Sequence, residues 1–478
     1  MQKKIRFILN NSPVTSGLPG GTVVLDFLRQ QQKLVGTKDG CREGECGACT
    51  VLLGEPVGLK EETMRYRAVA SCMLPIGEVE GKHLVTIEGI NGEDLTPIQQ
   101  AIMDEGASQC GFCTPGIVMS LCGFFLDSSR LDYEDGIDAL DGNICRCTGY
   151  ASIQRALQSL CRSYRDKLRP KEDRVAQLVE WHILPPYFID IPSRLRSLPP
   201  AVPVVRAARK EGEVVMGGGT DLYIQRPDEL AESEPAFISL RPDLRDIKEE
   251  SGSVYIGAGV TVEEIKESAL IQAAVPGIKA YLDLVSSTLM RNRATAAGNI
   301  VNASPIGDMT ILLLALEGEV VLADGQGRRQ VNLKNFFRGY KKLAKKETEI
   351  IEWIRFPLPP AGTRFNFEKV SRRKHLDIAS VNSAISIRLE GNKIAAAHIS
   401  AGGVSPIPLY LKQASACLEA GALTAETVRQ AAEAAEREIA PIDDVRGAAN
   451  YKRRLLRQLI YAHFIKLFPQ KIAFEDLL

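Results

Sequence analysis

At 478 residues the chain has room for about three domains of ordinary size. Apolar residues make up 45% and charged residues 25%, a globular profile with real cores, and 59 Lys+Arg against 59 Asp+Glu leaves no net charge with which to seek nucleic acid or an acidic membrane surface. No apolar run approaches the roughly 18 residues a bilayer span needs. Residues 1–10 hold too short an apolar core for a secretion signal. Eleven cysteines without such a signal point to metal or redox chemistry rather than a disulfide framework, which places the chain in the cytoplasm.

The opening residues alternate, with Ile5, Phe7 and Leu9 on one face, and predict a strand. A short helix is expected from Thr22 to Gln31, burying Val23, Val24, Phe27 and Leu28. The stretch Gly40–Cys49 then brings Cys41, Cys46 and Cys49 at C-x4-C-x2-C, and Cys72 follows after 22 intervening residues. That spacing is the one used for a plant-type [2Fe–2S] cluster, in which three thiolates come from one tight loop. Gly40, Gly44 and Gly47 permit φ > 0 and let backbone N–H groups face the sulfurs. A structural zinc site is the alternative, although zinc more often takes two C-x2-C pairs or mixed Cys/His sets. Strands are expected at 50–53 and 83–88, with 67–72 delivering the last cysteine. Strands and one helix around a loop-borne cluster suggest a β-grasp ferredoxin-like domain over 1–88.

Residues 89–165 read as helical. Thr96-Pro97 is a capped helix start. Cys110 and Cys113 precede a helix opening at Thr114-Pro115, whose buried stripe is Ile117, Val118, Leu121, Phe124 and Phe125. Cys145 and Cys147 precede another helix carrying Ile153, Ala156, Leu157 and Leu160. A helix N-terminus is the positive end of its dipole and favours a thiolate. Four such cysteines suit a second [2Fe–2S] cluster in a four-helix-type domain; four buried core cysteines are the alternative. Cys122, Cys161 and Cys417 are read as core fillers.

The stretches 36–50, Gln109–Gly116 and Cys145–Tyr150 resemble the iron–sulfur signatures of the xanthine dehydrogenase family of molybdenum hydroxylases. In that family the helical cluster lies nearer the molybdenum cofactor and the ferredoxin-like cluster nearer the flavin. Prolines 170, 185, 186, 192, 199 and 200 then interrupt any continuous helix or sheet, so 166–202 reads as a linker that wraps between domains.

The next unit, 203–360, carries a predicted strand running into Gly217-Gly218-Gly219, where the backbone can approach a phosphate closely. It lacks the spacing of a dinucleotide-binding G-x-G-x-x-G. The segments 291–300 and 304–308 offer small residues with Thr, Asn and Asp, suited to a ligand with phosphates and a ribose; ordinary tight turns are the alternative reading. Both segments, together with Phe336–Lys342 and Lys369–Arg373, resemble the FAD-binding loops of the same family. The resemblance implies an α/β FAD-binding domain of the CO dehydrogenase flavoprotein (PCMH-like) type. It implies FAD contacts from Val214, Val215, Met216, Gly217, Gly218, Gly219, Thr220 and Asp221, from Thr295, Ala296, Ala297, Gly298 and Asn299, and from Asp308, Ile351 and Lys369. Val285 stands where relatives tend to have an aromatic residue, and Leu376 precedes Asp377 where they tend to have two acids; both departures bear on the choice of electron acceptor.

Residues 361–478 are expected to form an α+β C-terminal domain, with strands at 384–389 and 393–400 and helices at 425–439 and 451–468. Tyr451–Arg454 reads as a solvated helix face. The class is therefore α+β and multidomain. Two [2Fe–2S] clusters and an FAD in one chain make a converter between one-electron and hydride chemistry. The five histidines, His83, His182, His375, His398 and His463, fall in no metal or triad spacing, and no stretch is left for molybdopterin. No catalytic residue is assigned. The expectation is the non-molybdenum subunit of a split xanthine dehydrogenase, paired as a heterodimer or a dimer of heterodimers with a large molybdenum subunit and passing electrons to NAD+ in purine metabolism. The alternatives are the equivalent subunit of an aldehyde or N-heterocycle hydroxylase, and a zinc-bearing scaffold.

Overall fold

The computed structural model describes residues 4–57, 63–199, 212–419 and 421–477. The expected boundary at 202/203 falls in 200–211 and lies outside the described residues. Two compact units emerge: one of residues 1–204, 219–240 and 287–293, the other of 205–218, 241–286 and 294–478.

The first unit begins with a five-stranded sheet in the order Ser12–Ser16, Ile5–Leu9, His83–Val85, Thr50–Val57, Thr63–Ala70. Only the pairing of Ile5–Leu9 with His83–Val85 is parallel. Ile5, Phe7 and Leu9 are buried as their alternation predicts, and they pack with Val24, Phe27, Leu28 and Val51. The expected helix is Val24–Asp26 continued by a π turn over Phe27–Gln31. The expected strand at 83–88 stops at Val85. The Asn10 side chain accepts from the Thr86 N–H, and the chain turns into a helical turn, Ile87–Ile90.

Four helices follow: Pro97–Asp104, Thr114–Asp127, Tyr133–Ala139 and Ala151–Tyr164. The first starts with a full capping box, Thr96 and Gln99 each bonding the other's backbone N–H. Thr114–Asp127 is buried on all sides from Gly116 to Phe125, wider than a single stripe, because neighbouring elements cover it all round. Residues 166–199 are not bare connector. They form the helices Arg174–Glu180 and Ile191–Arg196 and a 3-10 turn, Pro186–Asp190. Val175, Leu178, Trp181, Ile183, Leu184 and Phe188 join the same core as the four helices. Cys122 and Cys161 are buried fillers there, as expected.

A short segment, Ser287–Arg293, also belongs to this unit, containing the helical turn Thr288–Arg291. Arg291 pairs with Asp141 at 3.3 Å, and Arg293 with Glu78 at 3.1 Å, all four side chains nearly dry. Asn292 donates to the Ala68 carbonyl at 2.9 Å. The segment is thus tied both to the ferredoxin-like sheet and to the helical layer.

Among the described residues the second unit holds a two-stranded antiparallel ribbon, Phe337–Gly339 with Lys342–Leu343, and two larger antiparallel sheets. One runs Gly327–Asn332, Glu319–Asp324, Ile350–Pro357, Ser253–Gly257, Ile247–Glu250. The other runs Arg364–Val370, Val381–Glu390, Lys393–Gly402, Leu409–Tyr410. The helices Lys412–Glu419, Ala425–Glu438 and Ala449–Leu467 share a core with this second sheet. Cys417 packs at its margin. Lys452 departs from the expected solvated face. It is 2% exposed, and its ammonium meets Asp444 at 2.6 Å and the Ile442 carbonyl at 3.0 Å. Among the described residues no helix is long and apolar enough to cross a membrane.

Replacing Arg293 with methionine strands the Glu78 carboxylate in a dry site. The change is expected to lower unfolding stability by about 3–5 kcal/mol. A urea or thermal melt checks this, and an unchanged midpoint contradicts it.

Candidate functional site

The first cysteine set is gathered by a loop whose geometry is built from its glycines and one unexpected arginine. Gly44 and Gly47 take φ of +73° and +66°. Gly40 does not; its role is room, because a Cβ there would stand 2.7 Å from the Cys46 sulfur. Arg42 also lies at positive φ, +55°, and its guanidinium grips Asp39 at 2.6 Å and Asp26 at 2.7 Å. Backbone N–H groups turn inward: Glu43, Glu45 and Cys46 toward the Cys41 sulfur, Ala48 toward Cys46, Gly44 toward Cys72. Such a nest of amides suits negatively charged sulfur. Cys72 arrives from the sheet through the 3-10 turn Ser71–Met73, which follows the strand Thr63–Ala70.

The sulfurs meet two by two. Cys49 and Cys72 are 3.4 Å apart and buried. Cys41 and Cys46 form the other hydrogen-bonded pair. The bond from Cys46 holds the Cys41 thiol down at about 5 and drives that of Cys46 up; Cys72 lowers Cys49 in the same way and is itself raised. One proton shared between two close sulfurs gives this split.

The second set repeats the pattern. Cys110 and Cys147 are 3.5 Å apart and exposed. Cys113 and Cys145 are hydrogen-bonded as well. Burial, then the neighbouring Cys145, pushes the Cys113 thiol up to about 12. At Cys145 burial acts upward, but the Thr148 hydroxyl and backbone win and bring it down to about 7. Cys113 is the N-cap of Thr114–Asp127. Tyr150 caps Ala151–Tyr164 in the left-handed conformation, φ +68°, and its hydroxyl accepts from the Cys145 N–H at 3.1 Å.

The two sets are joined. The Ile144 N–H donates to the Cys46 carbonyl at 3.0 Å, and the Asn143 amide donates to the Gly47 carbonyl at 3.2 Å. A Cβ on Gly116 would stand 2.1 Å from the Gly47 oxygen, and one on Gly47 would stand 2.4 Å from the Gly142 oxygen. Asn143 and Gly116 are site residues that the cysteine spacing did not reveal, since their role is contact with the other loop. Among the described residues no three His, Cys, Asp or Glu side chains converge on one ion-sized point. Sulfurs arranged as two pairs fit a two-iron cluster, with one pair for each iron.

In the second unit the segment Val214–Gly218 contains the short strand Val215–Met216 and ends at the glycine turn. Gly219, Thr220 and Asp221 belong to the first unit, where Gly219, φ +76°, caps the helix Thr220–Gln225. Gly217 lies against Thr295, since a Cβ would fall 2.7 Å from that hydroxyl. Thr295 caps the helix Ala296–Asn302, its hydroxyl accepting from the Gly298 N–H at 3.0 Å. Asn299 accepts from the N–H and hydroxyl of Thr310 in the helix Asp308–Ala315. Asp308 accepts from Lys369 at 2.7 Å and from Asn382 at 2.5 Å. Lys369 also donates to the Leu284 carbonyl, and Asn382 was not foreseen. Ile351 is buried in the strand Ile350–Pro357, which packs on the helix Ala296–Asn302. Thr295–Asn299, Asp308, Lys369 and Ile351 thus belong to connected elements of one unit. Small residues and a capped helix start leave backbone donors for a phosphate-bearing ligand, which fits a flavin dinucleotide. Val285 is buried, and Leu376 takes φ +54° in the loop after Lys369.

Comparison with known proteins follows the same divisions. Residues 7–76 match the 2Fe-2S iron-sulfur cluster binding domain, 86–158 the [2Fe-2S] binding domain, 196–359 the FAD binding domain in molybdopterin dehydrogenase, and 366–467 the CO dehydrogenase flavoprotein C-terminal domain. The xanthine dehydrogenase of Emericella nidulans is 28% identical over 477 residues, covering 87% of this chain and 35% of that protein. That of Drosophila subobscura is 27% identical over 528 residues, covering 96% and 39%. The chain therefore spans little more than a third of these relatives' length. A solved chain of reconstituted CO dehydrogenase from Oligotropha carboxidovorans is 28% identical with a TM-score of 0.50, over 52% of this chain and 87% of that one.

Gly116 has ordinary helical geometry, so Gly116→Ala tests the loop contact by sterics alone. It is expected to cost about 1–3 kcal/mol and to lower the iron retained on purification. A melt and an iron assay indistinguishable from those of the unaltered chain would refute the contact's importance.

Proposed function

We propose that this chain, whose segments match two [2Fe–2S] domains, an FAD-binding domain of molybdopterin dehydrogenases and a CO dehydrogenase flavoprotein C-terminal domain, is the iron–sulfur and FAD region of a molybdenum hydroxylase and, more narrowly, the electron-transfer subunit of a split xanthine dehydrogenase. Cys41, Cys46, Cys49 and Cys72 hold one cluster; Cys110, Cys113, Cys145 and Cys147 hold the other. On this reading Cys41 with Cys46 and Cys49 with Cys72 serve separate irons, and likewise Cys110 with Cys147 and Cys113 with Cys145, which the pairing of the sulfurs supports. FAD is held by Val214–Gly218, Thr295–Asn299, Asp308, Ile351 and Lys369. Clusters exchange single electrons, and a flavin returns them as a hydride. The molybdenum centre, where the substrate is oxidised, resides on a partner polypeptide, and NAD+ is the final acceptor.

The observation that carries this reading is the hydrogen bond from Ile144 to the Cys46 carbonyl. It links a residue next to one cysteine set directly to a member of the other, a bonded route for electrons between the sites. The chain's own residues do three things along it. They present amide N–H groups to sulfur, they exclude water from Cys49 and Cys72, and they fix Lys369 between Asp308 and the Leu284 carbonyl. A second reading has the same subunit serve a related molybdenum hydroxylase acting on an aldehyde or another N-heterocycle; the matches to CO dehydrogenase flavoprotein favour it only in showing that the likeness is not confined to xanthine dehydrogenases.

Anaerobic addition of NADH to the purified chain is expected to bleach the flavin and then the clusters. Bleaching by another reductant but not by NADH would move the acceptor away from NAD+. With the co-purified partner, xanthine-dependent NADH formation is expected. Formation driven instead by an aldehyde or another heterocycle would favour the second reading.

A further inference from the structure

Gly44 sits at the centre of the ferredoxin-type loop, and its N–H is the backbone donor to the Cys72 sulfur. It is buried, and the atoms nearest its Cβ side come from outside its loop. A Cβ built on Gly44 would stand 2.3 Å from the Met290 sulfur, 3.1 Å from the Met290 terminal methyl and 3.3 Å from Met73. Two thioether side chains therefore pack against the Cα of the residue whose amide bonds Cys72. Met73 follows Cys72 in sequence and is fully buried. Met290 comes from more than two hundred residues away.

Met290 is held there by its neighbours rather than by its own contacts. The Thr288 N–H donates to Asp141 at 2.8 Å, and its hydroxyl donates to the Asp138 carbonyl at 2.8 Å. Ser287 and Leu289 lie against Gly142, three residues before Cys145. Arg291 and Arg293 are fixed by their buried carboxylates, and Asn292 by the Ala68 carbonyl. Six of the seven residues of Ser287–Arg293 thus anchor to elements bearing one cysteine set or the other. The seventh, Met290, points at Gly44. Five residues further along the chain stands Thr295, the helix cap assigned to FAD.

We propose that Met290 is a positioning residue for the cluster held by Cys41, Cys46, Cys49 and Cys72: its thioether packs against the Gly44 Cα and keeps water from the Cys72 side, which holds that cluster's reduction potential down. The proposal rests on the assignment of those four cysteines to a two-iron cluster. Reduction adds a negative charge to the cluster, and polar surroundings favour the charged form, so a dry apolar cover makes the reduced cluster a stronger donor. Methionine suits the task because an unbranched, polarisable side chain fills an irregular gap over a bare backbone. Two of the loop's other ties, Ile144 to Cys46 and Asn143 to Gly47, do not involve Met290.

The test is a redox titration of the full chain, following both clusters by electron paramagnetic resonance, in Met290→Ala, Met290→Gln and Met290→Leu. Iron and acid-labile sulfide are measured on each sample. Met290→Ala opens the cover, and Met290→Gln keeps its size but makes it polar. Both are expected to shift the first cluster's potential upward while the second cluster's stays in place. Met290→Leu keeps an apolar cover and is expected to titrate like the unaltered protein. If Met290→Ala fails to load iron, Met290→Gln carries the comparison. Full iron with no shift, or an equal shift in both clusters, overturns the role of Met290 alone. Absence of iron and sulfide from the unaltered chain overturns the cluster assignment on which it rests.

Discussion

Everything in the first unit depends on two loops being able to touch backbone to backbone. The Cys46 carbonyl receives the Ile144 N–H, and the Gly47 carbonyl lies so close to Gly116 that a single methyl would collide with it. Two cysteine sets from separate stretches of sequence are fixed against each other in this way. Electron transfer falls steeply with distance, so a rigid bonded contact between the sites is worth more to this chain than any single side chain. Glycine at 47 and 116 and the Asn143 amide are what make the contact possible.

Much of this was legible in the sequence, and the parts that were not have a common cause. The cysteine spacings, the capped helix start at Thr96-Pro97 and the helix start at Thr114 are local patterns, and local geometry satisfies them directly. The alternation of Ile5, Phe7 and Leu9 identified the opening strand for the same reason. Gly116 closes the Gln109–Gly116 signature, but its contact with the other loop is not readable there, and Asn143 and Met290 carry no local signal, because each acts on a partner distant in sequence. The stretch 166–199 looked structureless because prolines broke its periodicity, yet Trp181, Phe188 and their neighbours are apolar anchors that tertiary packing gathers. The strand at 83–85 ends early because Asn10, seventy-six residues away, takes the Thr86 N–H. Lys452 read as solvated because its partner Asp444 sits in a preceding loop.

In the second unit the legible part was chemical type rather than position. Small residues with Thr, Asn and Asp suggested a ligand cradle, and resemblance supplied the rest. The structure gives those residues connected roles. Thr295 starts a helix, Asn299 ties that helix to the next, and Asp308 joins Lys369 to Asn382. Asn382 lies just before the strand expected at 384–389, in a stretch buried on both faces, so nothing local set it apart. These polar side chains are thus tied to one another across separate elements, Asn382 through its amide N–H.

The claim beneath the whole account is that eight of the eleven cysteines are committed, four and four, to iron. Chemical determination of iron and acid-labile sulfide after anaerobic isolation tests it most directly. The account predicts about four iron atoms and about four sulfides per chain, two of each for every two-iron cluster. A protein carrying zinc in their place, or holding neither iron nor labile sulfide, would contradict it.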